Sequence, residues 1–353
     1  MIECKIKIKL DSFILDANFS IPDRGVTVIF GPSGSGKTTL LRALAGLEEN
    51  QNGYLKMGDS IWQDEENFVL THKRRIGYVF QDAALFDHLN VQDNLDYGIK
   101  RSPNIEKAFI ESIINLLDIK ILLNRTTSQL SGGERQRIAI ARALLIKPKI
   151  LLMDEPLSAL DMKRKQEILP YLDALHNDLD IPVIYVTHSP EEASRLADHL
   201  LLLDNGKVIG SGPINTMLTR FDLPMSHGKE ATSLIDAIVV GREKEFDLMQ
   251  LDFPGGQFTV PDNSLEVNSS VRLRVSARDV SLTKEKQIGT SILNIFPAIV
   301  DELSVEGGAQ IMVRLKIKEV TLLALITRKS AEMLNLQNGV KVFAQIKSVA
   351  ILS

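Results

Sequence analysis

The segment that most constrains this chain is Gly31-Pro32-Ser33-Gly34-Ser35-Gly36-Lys37-Thr38. It follows the short apolar run Val26–Phe30 and precedes a stretch, 38–47, that reads as a helix ending near Gly46. Glycines at 31, 34 and 36 let the backbone curl until its N–H groups face one point. The helix start that follows adds the positive end of its dipole. Strand, glycine loop and helix in this order form an anion cradle of the P-loop kind. The backbone of 31–36 and Thr39 suits phosphate oxygens. Lys37 suits the β- and γ-phosphates of a nucleotide, and the Thr38 hydroxyl suits its Mg²⁺.

Two more apolar runs end in polar residues. The run 150–153 delivers Asp154 and Glu155, and Val183–Thr187 delivers His188. Strands apolar on both faces and interleaved with helices point to an α/β fold with a mostly parallel sheet. Such sheets bind ligands beyond the carboxyl ends of their strands, so the three polar endings converge there. Asp154 fits a Mg²⁺ partner acting through water. Glu155 fits a base or water-orienting group for attack on the γ-phosphate. At the N-terminus, Ile2, Cys4, Ile6, Ile8 and Leu10 alternate with charged residues, the period of a half-buried strand and not of a signal peptide.

Length and charge narrow the classes. A chain of 353 residues exceeds one ordinary core, so two or three domains are expected. A formal net charge of −4 gives no support to a nucleic-acid partner. Cys4 is the single cysteine, which excludes an internal disulfide. No apolar run approaches the roughly 20 residues that span a bilayer, so a membrane role would require docking on a membrane partner.

Leu130-Ser131-Gly132-Gly133-Glu134 opens a second helix, expected over 134–146, whose N-terminus is another anion site with Ser131 as hydroxyl donor. Together with the P-loop, Gln81, Asp154-Glu155, Ser158-Ala-Leu-Asp161 and His188, in that order, this motif resembles the ATP-binding cassette (ABC) family. The resemblance implies a homodimer in which the P-loop of one cassette faces the Ser131–Glu134 turn of the other, with ATP between them. It implies that Gln81 senses the γ-phosphate and the metal, and that 82–97 touches a membrane subunit. It also implies that Asp161 communicates across the dimer and that His188 contacts the γ-phosphate. Cassettes usually carry an adenine-stacking aromatic ahead of the P-loop. Phe13 is closer to Gly31 than usual and reads either as that platform or as a core residue.

Around 221–232 the pattern breaks at a polar, Pro- and Gly-containing stretch, and the sequence then turns β-rich. Gln310–Ile317 and 340–346 alternate, Asn338-Gly339 signals a turn, and 330–336 fits a short helix capped by Ser330. These features suggest a small OB-like barrel. Segments 290–300, 322–331 and 342–350 resemble the Mop or TOBE-type domain, and 73–82 resembles the molybdenum-importer branch of the cassettes. The expected division is a nucleotide-binding domain at 1–228, a linker and β-rich connection at 229–289, and a Mop/TOBE-like domain at 290–353. Molybdate is a dianion without protons to donate, so its site needs donors. Ser291, Asn294, Lys347 and Ser348 are such donors, or else ordinary polar residues at strand ends.

The resemblance implies the ATP-hydrolysing subunit of a molybdate importer. It would dock on a permease at the cytoplasmic face of a bacterial inner membrane and be served by a periplasmic binding protein, with molybdate also a regulatory ligand of the tail. The alternatives are tungstate, sulfate, iron or sugar as cargo, or a soluble cassette ATPase. A non-enzymatic molybdate store is opposed by Lys37, Asp154, Glu155 and His188.

Overall fold

The computed structural model describes residues 1–10, 13–48, 53–100, 105–178 and 181–352. The chain divides into two compact units, Met1–Gly212 and Pro213–Ser353.

The first unit begins with β1 (Ile2–Leu10), β2 (Phe13–Ile21) and β3 (Val26–Phe30), then α1 (Lys37–Ala45), β4 (Tyr54–Met57), β5 (Ser60–Gln63) and β6 (Ile76–Val79). Helices α2 (Val91–Ile99), α3 (Lys107–Leu116) and α4 (Gly132–Leu144) follow. Next come β7 (Ile150–Asp154), α5 (Met162–Asp178), β8 (Val183–Thr187), α6 (Pro190–Leu196), β9 (His199–Asp204) and β10 (Lys207–Pro213). All ten strands form one sheet in the order β5-β4-β1-β2-β10-β9-β3-β8-β7-β6.

That sheet is mixed. Strands β9, β3, β8, β7 and β6 pair in parallel. Strands β2, β1, β4 and β5 pair antiparallel and make an arm beside them. Sequence pattern explains the split. Strands β7 and β8 are buried along their whole length, as central parallel strands require. In β1 only alternate residues are buried, which suits an arm with one face in water. Cys4 is one of the buried residues, and burial pushes its thiol far above the ordinary range.

Helix α1 carries the start of the P-loop's anion cradle, and its far end is fixed twice. Gly46, in the left-handed region at φ 75°, donates to the Ala43 carbonyl, and Leu47 N–H donates to the Arg42 carbonyl. The buried Arg74 guanidinium donates to the carbonyls of Ala43, Leu44 and Val69 and lies over the Phe68 and Trp62 rings. A cation at the negative end of a helix is favourable. Burial still lowers this guanidinium to about 10.

The second unit holds β11 (Thr232–Glu243), β12 (Leu248–Phe253), β13 (Gly256–Pro261), β14 (Ser270–Ser276) and β15 (Val280–Thr283), preceded by the single turn α7 (Ile214–Met217). Strands β16 (Asn294–Glu306), β17 (Gln310–Ile317) and β18 (Val320–Thr327), helix α8 (Arg328–Met333), β19 (Lys341–Ile346) and β20 (Ala350–Ile351) complete it. They form two five-stranded sheets, β13-β12-β11-β14-β20 and β15-β19-β16-β17-β18. The second sheet curls as a half-barrel with open edges at β15 and β18, where a small OB-like barrel was expected.

Three readings of this region need revision. Segment 229–289 supplies four strands of one sheet, so it is no linker: Val239, Leu251, Phe258 and Leu273 share a core with Val300, Leu315 and Ala344. The polar stretch before β11 is tied down too, because His227 Nδ1 bonds Glu306 and His227 Nε2 lies 2.7 Å from the Phe221 carbonyl. Helix α8 starts two residues before Ser330. Its cap is Thr327, whose hydroxyl accepts from Ser330 N–H at 3.1 Å.

Candidate active site

The loop after β3 has the geometry its glycines imply. Gly34 and Gly36 sit at φ 79° and 100°, and a Cβ on Gly31 would lie 2.0 Å from the Leu203 carbonyl oxygen. Gly36 is the cap of α1 and has no side chain to satisfy the helix's first N–H groups, and α1 has no acidic residue in its first turn. Both facts leave the positive helix end for an outside anion. The buried hydroxyl of Ser35 has no hydrogen-bond partner, a further polar group at this loop with capacity left over.

Lys37 is almost fully buried. Its Nζ donates to the carbonyls of Gly31 and Pro32, 3.0 Å each, and stands 3.6 Å from Glu155 Oε1. The ammonium thus bridges the loop and the end of β7. Thr38 Oγ1 donates to Asp154 Oδ1 at 2.9 Å, and Tyr78 on β6 donates to Asp154 Oδ2 at 3.4 Å. Burial raises the Asp154 pKa, and the Thr38 and Tyr78 bonds only partly offset it. A metal cation at this carboxylate would favour its ionised form. No cluster of three His, Cys, Asp or Glu side chains occurs among the described residues. Mg²⁺ does not need one, because it binds through one or two protein oxygens, substrate phosphates and water, and the Thr38–Asp154 pair could supply the protein share.

Glu155 follows the end of β7 in the left-handed region, φ 43°, a conformation that costs a non-glycine residue about 1–2 kcal/mol. Its N–H donates to Val186 on β8, and Ser158 Oγ donates to its carbonyl. The turn aims the carboxylate at His188, whose Nδ1 lies 3.1 Å from Glu155 Oε2. Lys37, Glu155 and His188 are therefore linked in a row across the ends of β3, β7 and β8.

Other expected residues have definite places. Gln81 is exposed two residues beyond β6, whose Val79 pairs with Met153 of β7. Gln81 thus leaves the sheet at the same end as Asp154 and Glu155. Phe13 packs on the loop's floor: a Cβ on Gly36 would lie 2.7 Å from its ring, and the side chain joins the core under β1 and β2. That placement favours the core reading of Phe13 over an adenine platform. Ser131 caps α4 and forms a reciprocal box with Glu134: Glu134 N–H donates to Ser131 Oγ at 3.3 Å, and Ser131 N–H donates to Glu134 Oε2 at 2.7 Å. The Glu134 carboxylate is turned onto its own helix end, with Gly132 and Gly133 in the first turn. Asp161 caps α5 by accepting from Arg164 N–H at 2.9 Å. Sequence reasoning missed Tyr78 and the Lys37–Glu155 contact. The one sign of Tyr78 was its place in the strand that leads to Gln81.

In the second unit, Asn294 pairs with Ile346 at the meeting of β16 and β19. This brings Ser291, Lys347 and Ser348 to the same end of the half-barrel. Two of the four side chains, Asn294 and Ser348, are engaged. The Asn294 amide donates to the Thr259 carbonyl and accepts from Thr259 N–H, at 3.0 and 2.8 Å. Ser348 Oγ donates to Asp279 at 2.8 Å. Ser291 and the Lys347 side chain are exposed.

Comparisons with known proteins agree with this geometry. The ABC transporter family profile matches residues 14–158, and the TOBE domain profile matches 290–352. Among solved structures, a dimeric ATP-binding cassette in a post-hydrolysis state with ADP and Pi is 28% identical and superposes with a TM-score of 0.51, over 61% of this chain and 99% of that one. An ABC transporter component from Clostridium perfringens has the same fold, with a TM-score of 0.55 at 24% identity over 63% of this chain and 91% of its own. The chain is an ABC-type ATPase and belongs to the family of molybdenum import ATP-binding proteins. Proteins of that name, ModC, match it end to end. The one from Methylococcus capsulatus is 49% identical over 99% of each chain, and that from Thiobacillus denitrificans is 48% identical over 99% of this chain and 98% of its own.

Proposed function

We infer that this protein hydrolyses ATP to drive molybdate import. The observation that carries the inference is the row Lys37, Glu155, His188 beside the Thr38–Asp154 pair. It stands at the carboxyl ends of the neighbouring strands β3, β8 and β7, where a phosphate cradle, a metal partner and a base would have to meet. The name shared by the full-length relatives supports molybdate as cargo.

In this reading Lys37 leaves its loop carbonyls for the β- and γ-phosphates. Thr38 and Asp154 would hold Mg²⁺, which when bound would neutralise charge at the phosphates. Glu155 takes a proton from the attacking water. His188, held on Glu155 through Nδ1, presents its other ring nitrogen to the γ-phosphate. Gln81 senses the same phosphate and the metal. Ser131, with the Gly132–Gly133 turn, would serve the nucleotide of a second copy, so the working state is a homodimer closed by ATP. No helix among the described residues is long and apolar enough to cross a membrane. In this reading transport runs through a permease on which the dimer docks, at the cytoplasmic face of the bacterial inner membrane, with a periplasmic binding protein delivering the anion; the import role in the relatives' name supports it. Ser291, Asn294, Lys347 and Ser348 are the proposed contacts for molybdate as a regulatory ligand in the tail.

The test is uptake into vesicles that hold the permease and this chain, with the binding protein on the side from which molybdate enters. Molybdate should enter only with ATP and Mg²⁺, and Lys37→Ala should abolish uptake together with ATP binding. Equal uptake of sulfate would return the cargo to the wider oxyanion class. Uptake that ignores ATP would defeat the reading altogether.

A further inference from the structure

A second polar network lies directly behind the row of site residues, centred on Glu192 of α6. This carboxylate is 3% exposed and accepts three hydrogen bonds. Lys165 Nζ of α5 donates to Oε1 at 2.9 Å. Thr187 Oγ1 and Tyr185 OH, both on β8, donate to Oε2 at 2.7 and 3.0 Å. A carboxylate this deep is tolerated only when paired and fully bonded, as it is here. Burial and the neighbouring Glu192 charge push the Tyr185 phenol well above its ordinary value, which keeps it a donor.

The network touches both elements that flank the reaction. Thr187 Oγ1 accepts from Ser189 N–H at 3.0 Å while donating to Glu192, and Ser189 Oγ accepts from Glu192 N–H at 3.4 Å. The residues on either side of His188 are thereby fixed to Glu192, and His188 itself reaches Glu155. In the other direction, Lys165 is in the first turn of α5, its own N–H donating to the Asp161 carbonyl at 3.0 Å. Glu192 therefore joins the turn that carries His188 to the helix start that carries Asp161.

We propose that Glu192 is a positioning residue of the ATPase: paired with Lys165, it holds His188 in register with Glu155 and ties that register to the Asp161 turn. The inference rests on the hydrolytic reading of the site. It predicts an effect on the chemical step and not on nucleotide binding, because none of the hydrogen bonds just named ends on a residue of the P-loop. Glu192→Gln keeps the volume but removes the charge and faces an N–H toward one of three donors. Thr187→Val removes a single hydroxyl at constant shape and is the milder probe.

The experiment is steady-state ATP hydrolysis by the full-length chain with its permease, normalised to nucleotide-binding sites, for Glu192→Gln, Lys165→Met, the double variant, Thr187→Val and His188→Ala. Glu192→Gln and Thr187→Val should each lower kcat about tenfold with KM for ATP within about twofold, the signature of an interaction lost only in the transition state. The double variant should be no slower than the slower single one, since both remove one link. Wild-type kcat in Thr187→Val and Glu192→Gln, whatever their melting points, overturns the proposal. So does a rise in KM that matches the fall in kcat. Should Glu192→Gln fail to fold, Thr187→Val decides alone. Full-rate hydrolysis by His188→Ala would instead show that the assignment of His188 is at fault, and the link would fall with it.

Discussion

Two groups of polar side chains stand at strand ends in this molecule, one in each unit, and they hold their hydrogen bonds differently. At the ends of β3 and β7 the bonds are exchangeable. Lys37 rests on loop carbonyls, Thr38 on a carboxylate that a metal could share, and the Ser35 hydroxyl has no partner. At the start of β16 the Asn294 amide makes a closed pair with the Thr259 backbone, and near the end of β19 Ser348 is bonded to Asp279. A phosphate can displace weak internal partners of a lysine. Displacing this amide from its paired backbone leaves two partly buried peptide groups without their partner. Ready ligand sites are recognised less by the polar residues they contain than by what those residues lose when a ligand arrives.

The comparison has a sharp consequence in the first unit. Glu155→Gln should lower hydrolysis at least about a hundredfold, the lower limit of the range for general-base loss, while ATP binding persists and the dimer is trapped. Turnover assays beside light scattering would show it, and normal turnover would remove Glu155 from its role. In the second unit the expectation concerns stability. Asn294→Ala should destabilise by about 1–3 kcal/mol with no anion present, because it strands the Thr259 N–H and carbonyl. Denaturant titration with and without molybdate measures this. A variant as stable as the parent but blind to molybdate would mean that Asn294 is kept for the ligand.

The smallest effect should appear at His227, which faces an acceptor through each ring nitrogen, Glu306 on one side and the Phe221 carbonyl on the other. The Phe221 ring packs beside it with Arg314 above that ring. Burial lowers the imidazole pKa, but Glu306 and the Phe221 carbonyl outweigh it, so the folded value is raised. A raised histidine stabilises fully below its unfolded value of about 6.5, and the gain disappears as pH climbs through the folded value. The melting-point gap between the parent and His227→Gln should therefore be wider at about pH 5.5 than at about pH 8.5. A constant gap would mean that the contact acts by packing alone.

Much of the first unit was legible because its signals are local. The P-loop, the two carboxylates and the histidine each follow an apolar run, and the sheet topology brings such endings together by rule. Helix α1 stopped where Gly46 predicted. The antiparallel arm was less visible: β4 and β5 are only four residues each, too short for a period. In the second unit β17 matched its alternating pattern to the residue, Gln310–Ile317. The role of 229–289 was hidden, since a polar opening says nothing about a core shared with strands far along the chain. The polar residues near Asn294 are visible in the sequence, but their partners, Thr259 and Asp279, are distant in the chain and left no trace in spacing.

The backbone at Glu155 carries one last implication. Position 155 adopts a twist that suits glycine, yet holds a long acidic side chain. Folding alone would favour a different residue there, so ease of folding and chemical work pull against each other at this point. Screens that reward only heat resistance should drift toward glycine or asparagine at 155 and return sturdy, idle proteins.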